Sequence, residues 1–438
     1  MKSIPWITSV FVAITTLAAH GPTFAQPKEQ FFPLIVYRTG PYAPNGTPMA
    51  NGKLDYLKLI NARDGGINGV KLTYEECETA YATDKGVECY ERLKGRPGVA
   101  LFEPQTTGVT FALTDRAPTD KIPLLTSGYG LAISQDGTAF PWNFPMLGSY
   151  WTASDIMVQH LRKKEGGVKG KKIVLLYHDS AFGKEPIPML QAQSRQHGFE
   201  LVLIPVTPPG LEQKSAWLQV RQQRPDYLIM WGWGAMNSAA LREAQATGYP
   251  REKMFGMWWA GAEPDVRDIG EGAKGYSALT LNPSGQQLGI VQQILAQVHD
   301  KSAGSGPRDD VGSVLYVRGV VMQALAIEAT RTAQERFGKG KVMTPQQVRW
   351  GLENLTLDAK RLRALGLADV IRPLSTSCSD HMGSANSWVQ VWDGKKWVIE
   401  PEPMQADTTV IRPMVRAASD KYLVDKGLTR RPPSDCQL

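Results

Sequence analysis

Histidine and cysteine are scarce in this 438-residue chain, with six of the first and four of the second. No two histidines stand at helical metal-binding spacing and no cysteines form a CxxC pair, so zinc and thioredoxin-like chemistry have no foothold. GxSxG, GxxxxGK[ST] and HExxH are missing as well, which removes the commonest hydrolase, NTPase and metalloprotease signatures. There is no basic block. The net charge of +7 is spread among mixed charges, without the clustered patch that nucleic acid requires. Beyond the N-terminus no run of about 18 apolar residues offers a membrane-spanning helix. A chain built this way is expected to hold a small molecule without metal or cofactor, rather than to transform it.

What is present begins with an export signal. Lys2 supplies a basic start, "WITSVFVAITTLAA" an apolar segment of signal-peptide length, and Thr23 and Ala25 the small residues that predict cleavage after Ala25. No cysteine follows the apolar segment, so a lipid anchor is not expected, and the mature protein reads as soluble, periplasmic and monomeric. Four cysteines in an exported chain predict disulfides. They allow three pairings, of which Cys77–Cys89 and Cys378–Cys436 are preferred.

From residue 31 onward the sequence alternates between short apolar runs and segments with a polar face. "FFPLIVYR", "VKLTYEE", "GVALFEP" and "KIPLLTS" read as strands of a first lobe, separated by helical segments such as "NGKLDYLKLINARDGG". "KKIVLLYHDS", "FELVLIPV", "DYLIMWGW" and "KMFGMWW" read as strands of a second lobe, the two meeting near residue 150. Apolar runs of this kind are buried on both faces, so the fold class is α/β, with parallel sheets flanked by helices. "VGSVLYVRGVVMQALAIEATRTAQ" and "TPQQVRWGLENL" follow as helices, and "SWVQVWDGKKWVIEP" as a β-hairpin around a DGK turn.

In open parallel sheets, ligands bind beyond the carboxyl ends of the strands. Two such ends, "YLIMWGWGAMN" and "MFGMWWAGAEP", each carry a pair of tryptophans. Side chains alternate along a strand, which places Trp233 and Trp258 in a pocket wall and Trp231 and Trp259 in the core. His178, at a strand end, reads as a structural or supporting histidine. The acid pairs Glu75–Glu76 and Asp309–Asp310 read as surface and helix-start carboxylates.

"TGPYAPNG…IN…GGINGVKL", "VALFEPQTTGVTFAL", "KIPLLTSG", "KKIVLLYHDSAFG", "RPDYLIMWGWG" and "GEGAKGY" stand in an order and spacing that resembles periplasmic substrate-binding proteins of branched-chain amino acid ABC transporters. The resemblance spans roughly residues 31–400. It implies a type I periplasmic binding fold, with two βα-repeat lobes joined by three crossovers and a ligand closed between them by hinge motion. It also implies a membrane permease as partner. Its layout would be a signal peptide over 1–25, a first lobe over 31–149 and about 281–365, and a second over 150–280 and about 366–405. An irregular extension over 406–438 completes the chain.

Carried over by position, Thr106, Thr107, Ser127 and Gly128 would receive a ligand carboxylate on backbone N–H groups and a hydroxyl, and Phe182 would cover the ligand. Amino-acid binders place an acid after the strand that matches "MFGMWW", to take the ligand's ammonium. An ungapped alignment puts Trp258 there, and the nearest acid is Glu263. An ammonium buried without that counter-ion would cost several kcal/mol. The expected ligand therefore lacks an α-ammonium. Tyr42, Tyr129 and Phe182 would complete an aromatic cage, and Arg38 is placed to pair with a carboxylate. An aromatic or short organic acid is favoured over a branched-chain amino acid or an amide. A sensor of the same fold without transport, and an exported α/β enzyme, are the alternatives.

Overall fold

The computed structural model describes residues 28–436 together with Met1, so the signal peptide expected over 1–25 lies outside the described residues. The strand Glu29–Val36 is apolar along nearly its whole length, and seven of its eight residues are buried. Covered on both faces by helices, such a strand needs no polar side. It pairs in parallel with Lys71–Glu78, Ile35 opposite Cys77. Parallel bridges at Phe31–Val99 and Phe102–Leu124 and the parallel pair Leu124–Leu125 with Asn143–Phe144 extend the first lobe.

The second lobe is built on an eight-stranded sheet. From one edge its order is Trp397–Ile399, Asn386–Trp392, Ser277–Thr280, Met254–Gly256, Tyr227–Trp231, Lys172–His178 and Glu200–Val206, and Met404–Gln405 pairs with Asn386–Trp392. Pairing is parallel from Ser277–Thr280 to Glu200–Val206. The expected hairpin is the antiparallel pair at the first-named edge, with Trp392 opposite Trp397.

Two long helices stiffen the first lobe. Ala43–Asp64 starts with Pro44 in its first turn and stops at Gly65 in the left-handed conformation, as start and stop residues should. It crosses Val314–Phe337, which is buried around most of its circumference. The crossing is close because a Cβ at Gly52 would collide with the Tyr316 carbonyl, and one at Gly319 with that of Met49. Among the described residues no helix is long and apolar enough to cross a membrane.

Both preferred disulfides are present, with Cα separations of 5.8 Å for Cys77–Cys89 and 5.6 Å for Cys378–Cys436. The first staples the end of Lys71–Glu78 to the helix Thr83–Leu93. Closing a loop of this length restricts the unfolded chain by about 3 kcal/mol. The double variant Cys77→Ala/Cys89→Ala should therefore unfold at a lower temperature, while ligand affinity in calorimetric titration stays within about twofold.

The C-terminal segment corrects an expectation. Instead of an irregular extension, residues 406–438 include the helix Thr408–Lys426, capped by the Asp407 carboxylate on Thr409 N–H. Its buried stripe is Ile411, Val415, Ser419 and Leu423, one residue per turn. Only three of the four are apolar and Pro413 sits inside, so its helical period is weak in the sequence. The helix touches both lobes: Asp407 N–H donates to Asp155 of the helix Tyr150–Glu165, and Tyr422 and Lys426 reach Asp115.

Candidate functional site

Between the lobes lies a narrow cavity walled mostly by aromatic rings. The first lobe contributes Tyr37, Met49 and Tyr81, the loop Gln105–Thr106–Thr107, then Tyr129 and Met322. The second contributes Tyr150, Phe182, Trp233 and Trp259. The rings brace one another edge to face: Trp233 and Trp259 have centroids 5.4 Å apart at 75°, and Tyr37 and Trp233 stand 6.3 Å apart at 83°. Tyr150 meets Phe182 in the same manner at 5.4 Å. Such contacts follow the ring quadrupole and fix the wall without polar partners. Among the described residues no charged side chain lines the cavity.

A buried ion pair supports the polar end. Lys53, on the helix Ala43–Asp64, bonds Glu103, and their side chains are only 2% and 4% exposed. Burial lowers the Lys53 pKa, and the Glu103 charge opposes that shift. Gln105 Nε2 donates to Glu103 at 3.2 Å, Gln105 N–H to the Tyr129 hydroxyl at 3.0 Å, and that hydroxyl to Leu125 O at 3.2 Å. The loop entering the helix Thr107–Thr114 is thereby held at two points on Gln105, with Tyr129 itself anchored to Leu125. Thr106 spends its hydroxyl on Val109 N–H as the helix cap, while the Thr107 hydroxyl meets the Tyr150 hydroxyl at 3.2 Å. The first-turn N–H groups of Thr107 and Gly108 have no intrahelical acceptor, the arrangement that suits an anion.

The lobes are closed on each other. The Tyr42 hydroxyl meets His178 Nε2 at 2.8 Å, Asn45 Nδ2 donates to Asp265 at 3.2 Å, and Ala132 N–H donates to Glu185. Burial pushes His178 down to about 4, so its imidazole is neutral at neutral pH. Burial also raises Asp265 to about 7, against hydrogen bonds from Ala262, Asn237 and Asn45, and Glu185 to about 8, against the Ala132 N–H.

Glu185 has a consequence in solution. Its folded pKa lies above the ordinary carboxyl value, so its contribution to stability is full below about 4.5 and is lost as pH rises through about 8. Glu185→Gln should match the wild type near pH 4 and exceed it in stability at pH 8, measured by urea unfolding across that range. A constant difference between the two proteins would remove the assignment.

Of the residues singled out in the sequence, Thr106, Thr107, Tyr129, Phe182 and Trp233 line the cavity. Trp258 does not, which is a correction. It is wholly buried, and its indole N–H donates to Gly128 O at 2.7 Å; Trp259 takes the wall position and donates to the same carbonyl at 3.2 Å. Alternation misleads here because the strand ends at Gly256 and Met257–Ala260 is a turn, closed by Ala260 N–H on Met257 O. Trp231, inside its strand, is core as expected.

Gly128 holds φ +77°, and a Cβ there would strike Leu281, so the position favours glycine. Ser127 is buried behind it, its hydroxyl without a partner among the described residues. Tyr42 stacks on Tyr81 at 4.1 Å and closes the cleft instead of lining the cavity. Arg38 is turned away altogether, paired with Glu76 and bonded to Asn51 at 2.8 Å. Sequence reasoning missed Tyr37, Met49, Tyr81, Gln105, Tyr150 and Met322. Tyr37 and Tyr150 had a usable signal, at a strand end and at a helix start beside the lobe junction. Met322 had none, because it arrives from a helix far along the chain.

Two lobes closed over an aromatic cavity define a ligand receptor of the type I periplasmic binding fold. The chain belongs to the periplasmic binding protein family, which matches residues 29–396. Members of this family are substrate-binding receptors of ABC transporters and not enzymes; they bind small ligands and interact with permeases. A crystal structure described as an ABC transporter permease from the Pseudomonas fluorescens group is 40% identical, covers 92% of this chain and 99% of that chain, and superposes with a TM-score of 0.86. Two more distant structures share the fold. A branched-chain amino acid ABC transporter protein from Thermus thermophilus with bound valine is 20% identical, covers 89% of this chain and 99% of that chain, and has a TM-score of 0.74. A solute-binding protein from R. palustris in complex with benzoate is 18% identical, covers 86% of this chain and 97% of that chain, and has a TM-score of 0.65. No match was found among curated proteins.

Proposed function

We propose that this protein is the exported receptor that delivers an aromatic or short organic acid to the permease of an ABC importer. The observation that carries the reading is the cavity wall: seven aromatic rings, two methionines and three polar uncharged residues. An amino acid would bring an ammonium into this space with no carboxylate to meet it, at a cost of several kcal/mol. A flat apolar ligand loses nothing there. Its acid end fits the N–H groups at the start of the helix Thr107–Thr114. The fold accommodates such cargo, since the R. palustris relative holds benzoate, and it also accommodates valine in the Thermus relative. Delivery follows from closure: ligand contacts made with both lobes exist only in the closed state and raise its population.

Thermal unfolding of the mature protein against small acids, amino acids and amides tests the reading. A ligand at a hundredfold excess over its Kd adds about 2.7 kcal/mol of stability. Benzoate-like or short organic acids should raise the midpoint, and valine and leucine should not. A shift with valine and none with the acids would overturn it.

A further inference from the structure

Around the cavity burial raises Asp265 to about 7 among neutral donors, and the buried cations are matched or neutral with one exception. Lys53 is matched by Glu103. Burial keeps His178 neutral and favours the protonated form of Glu185. Arg318 has no such partner. It lies on the helix Val314–Phe337, one turn before the cavity-lining Met322, and is fully buried. Its Nε donates to Asn282 Oδ1 at 2.6 Å and its Nη2 to Thr280 Oγ1 at 3.4 Å, both uncharged acceptors. Nη1 has no partner, and no carboxylate lies within ion-pair distance of it among the described residues. The guanidinium carbon stands 5.0 Å from the centroid of the Trp259 ring, whose indole forms part of the cavity wall.

A guanidinium taken out of water without an anion is costly, and neutral acceptors and a ring face return only part of that cost. Burial lowers its pKa to about 9, so it remains charged at neutral pH. The closed receptor thus carries one uncompensated positive charge directly behind the wall of its cavity.

We infer that Arg318 sets the charge of the cargo, selecting a ligand with a single negative charge by acting across the Trp259 ring rather than by touching the ligand. This deepens the organic-acid reading and rests on it. In an interior of low polarity a charge is felt over several ångströms, so an anion in the cavity offsets the unmatched guanidinium. A neutral ligand of the same shape fills the same space and leaves the charge unmatched. A dianion overshoots. Closure is therefore coupled to ligand charge as well as to ligand shape.

The test compares wild type, Arg318→Met and Arg318→Lys, with benzoate and its neutral isostere benzamide as probes in calorimetric titration, and urea unfolding of each ligand-free protein. Wild type should bind benzoate at least tenfold more tightly than benzamide. Arg318→Met should discriminate less than twofold, and Arg318→Lys should keep most of the preference. Without ligand, Arg318→Met should be no less stable than wild type, since it removes an unmatched charge and keeps the side-chain bulk. Wild-type discrimination retained in Arg318→Met, or absent in wild type, overturns the inference. If wild type takes up neither probe, the organic-acid reading falls separately. The ligand-free comparison then decides: a marked loss of stability in Arg318→Met means its bonds to Asn282 and Thr280 hold the fold and sinks the charge-selecting role, whereas equal or greater stability supports the unmatched charge.

Discussion

Replacing Lys53 by methionine is expected to lower the free energy of unfolding by about 3–5 kcal/mol, the cost of stranding a buried carboxylate. Lys53 and Glu103 are nearly inaccessible to solvent, and the residue that shares Glu103 is Gln105, an amide that brings no charge. The pair itself is a different matter from its broken half. Apolar groups of similar volume often replace a buried ion pair without loss. Lys53→Met/Glu103→Leu should accordingly recover most of the stability that Lys53→Met loses. The double variant frees the Gln105 side chain, however, so the loop Gln105–Thr107 is expected to loosen and ligand affinity to fall even where stability returns. Urea unfolding of both variants at pH 7, followed by titration of the double variant with the best-binding acid, separates the two effects. A single variant within about 1 kcal/mol of wild type would mean that water reaches the pair.

The second large effect distinguishes the adjacent tryptophans. Trp259→Ala removes a wall of the cavity, and the apolar surface an indole buries against a ligand, about 100 Å², is worth roughly 2–3 kcal/mol. Ligand affinity should fall by about thirtyfold or more. Trp258→Ala instead opens a void in packed core, where truncating a large aromatic costs about 3–5 kcal/mol of stability. Its indole reaches Gly128 from a fully buried position and its ring lies 6.3 Å from that of Tyr150, so the damage should appear first in the unfolding midpoint. Equal effects of the two substitutions on affinity would show that the two indoles act as one wall.

The contrast between these neighbours also marks what can be read from sequence. Strand identity and lobe class were legible because strands buried on both faces write continuous apolar runs, as in Lys172–His178 and Tyr227–Trp231. The pocket loops were legible for a related reason: parallel strands deliver their carboxyl ends to one side, and Thr106, Thr107, Tyr129, Phe182 and Trp233 all stand just past such ends. What failed were distinctions that depend on one residue of register. Trp258 and Trp259 follow a three-residue strand, and a turn has no two-residue period to count by. Arg38 failed for another reason. Its partner Glu76 sits on the paired strand, 38 residues away, and only the sheet register brings the two together. Arg318 gave no local sign at all, because its importance lies in the carboxylates missing from its surroundings.

The aromatic wall has a practical corollary. Among the described residues two tryptophans, Trp233 and Trp259, face the cavity, and there the Trp233 indole N–H has no hydrogen-bond partner. Indole emission responds to the polarity and the hydrogen bonding around the ring. Cargo entering this space displaces whatever contacts those two rings and offers an acceptor to Trp233, so filling of the cleft should be visible as a change in ultraviolet fluorescence without any attached dye. The receptor carries its own optical readout.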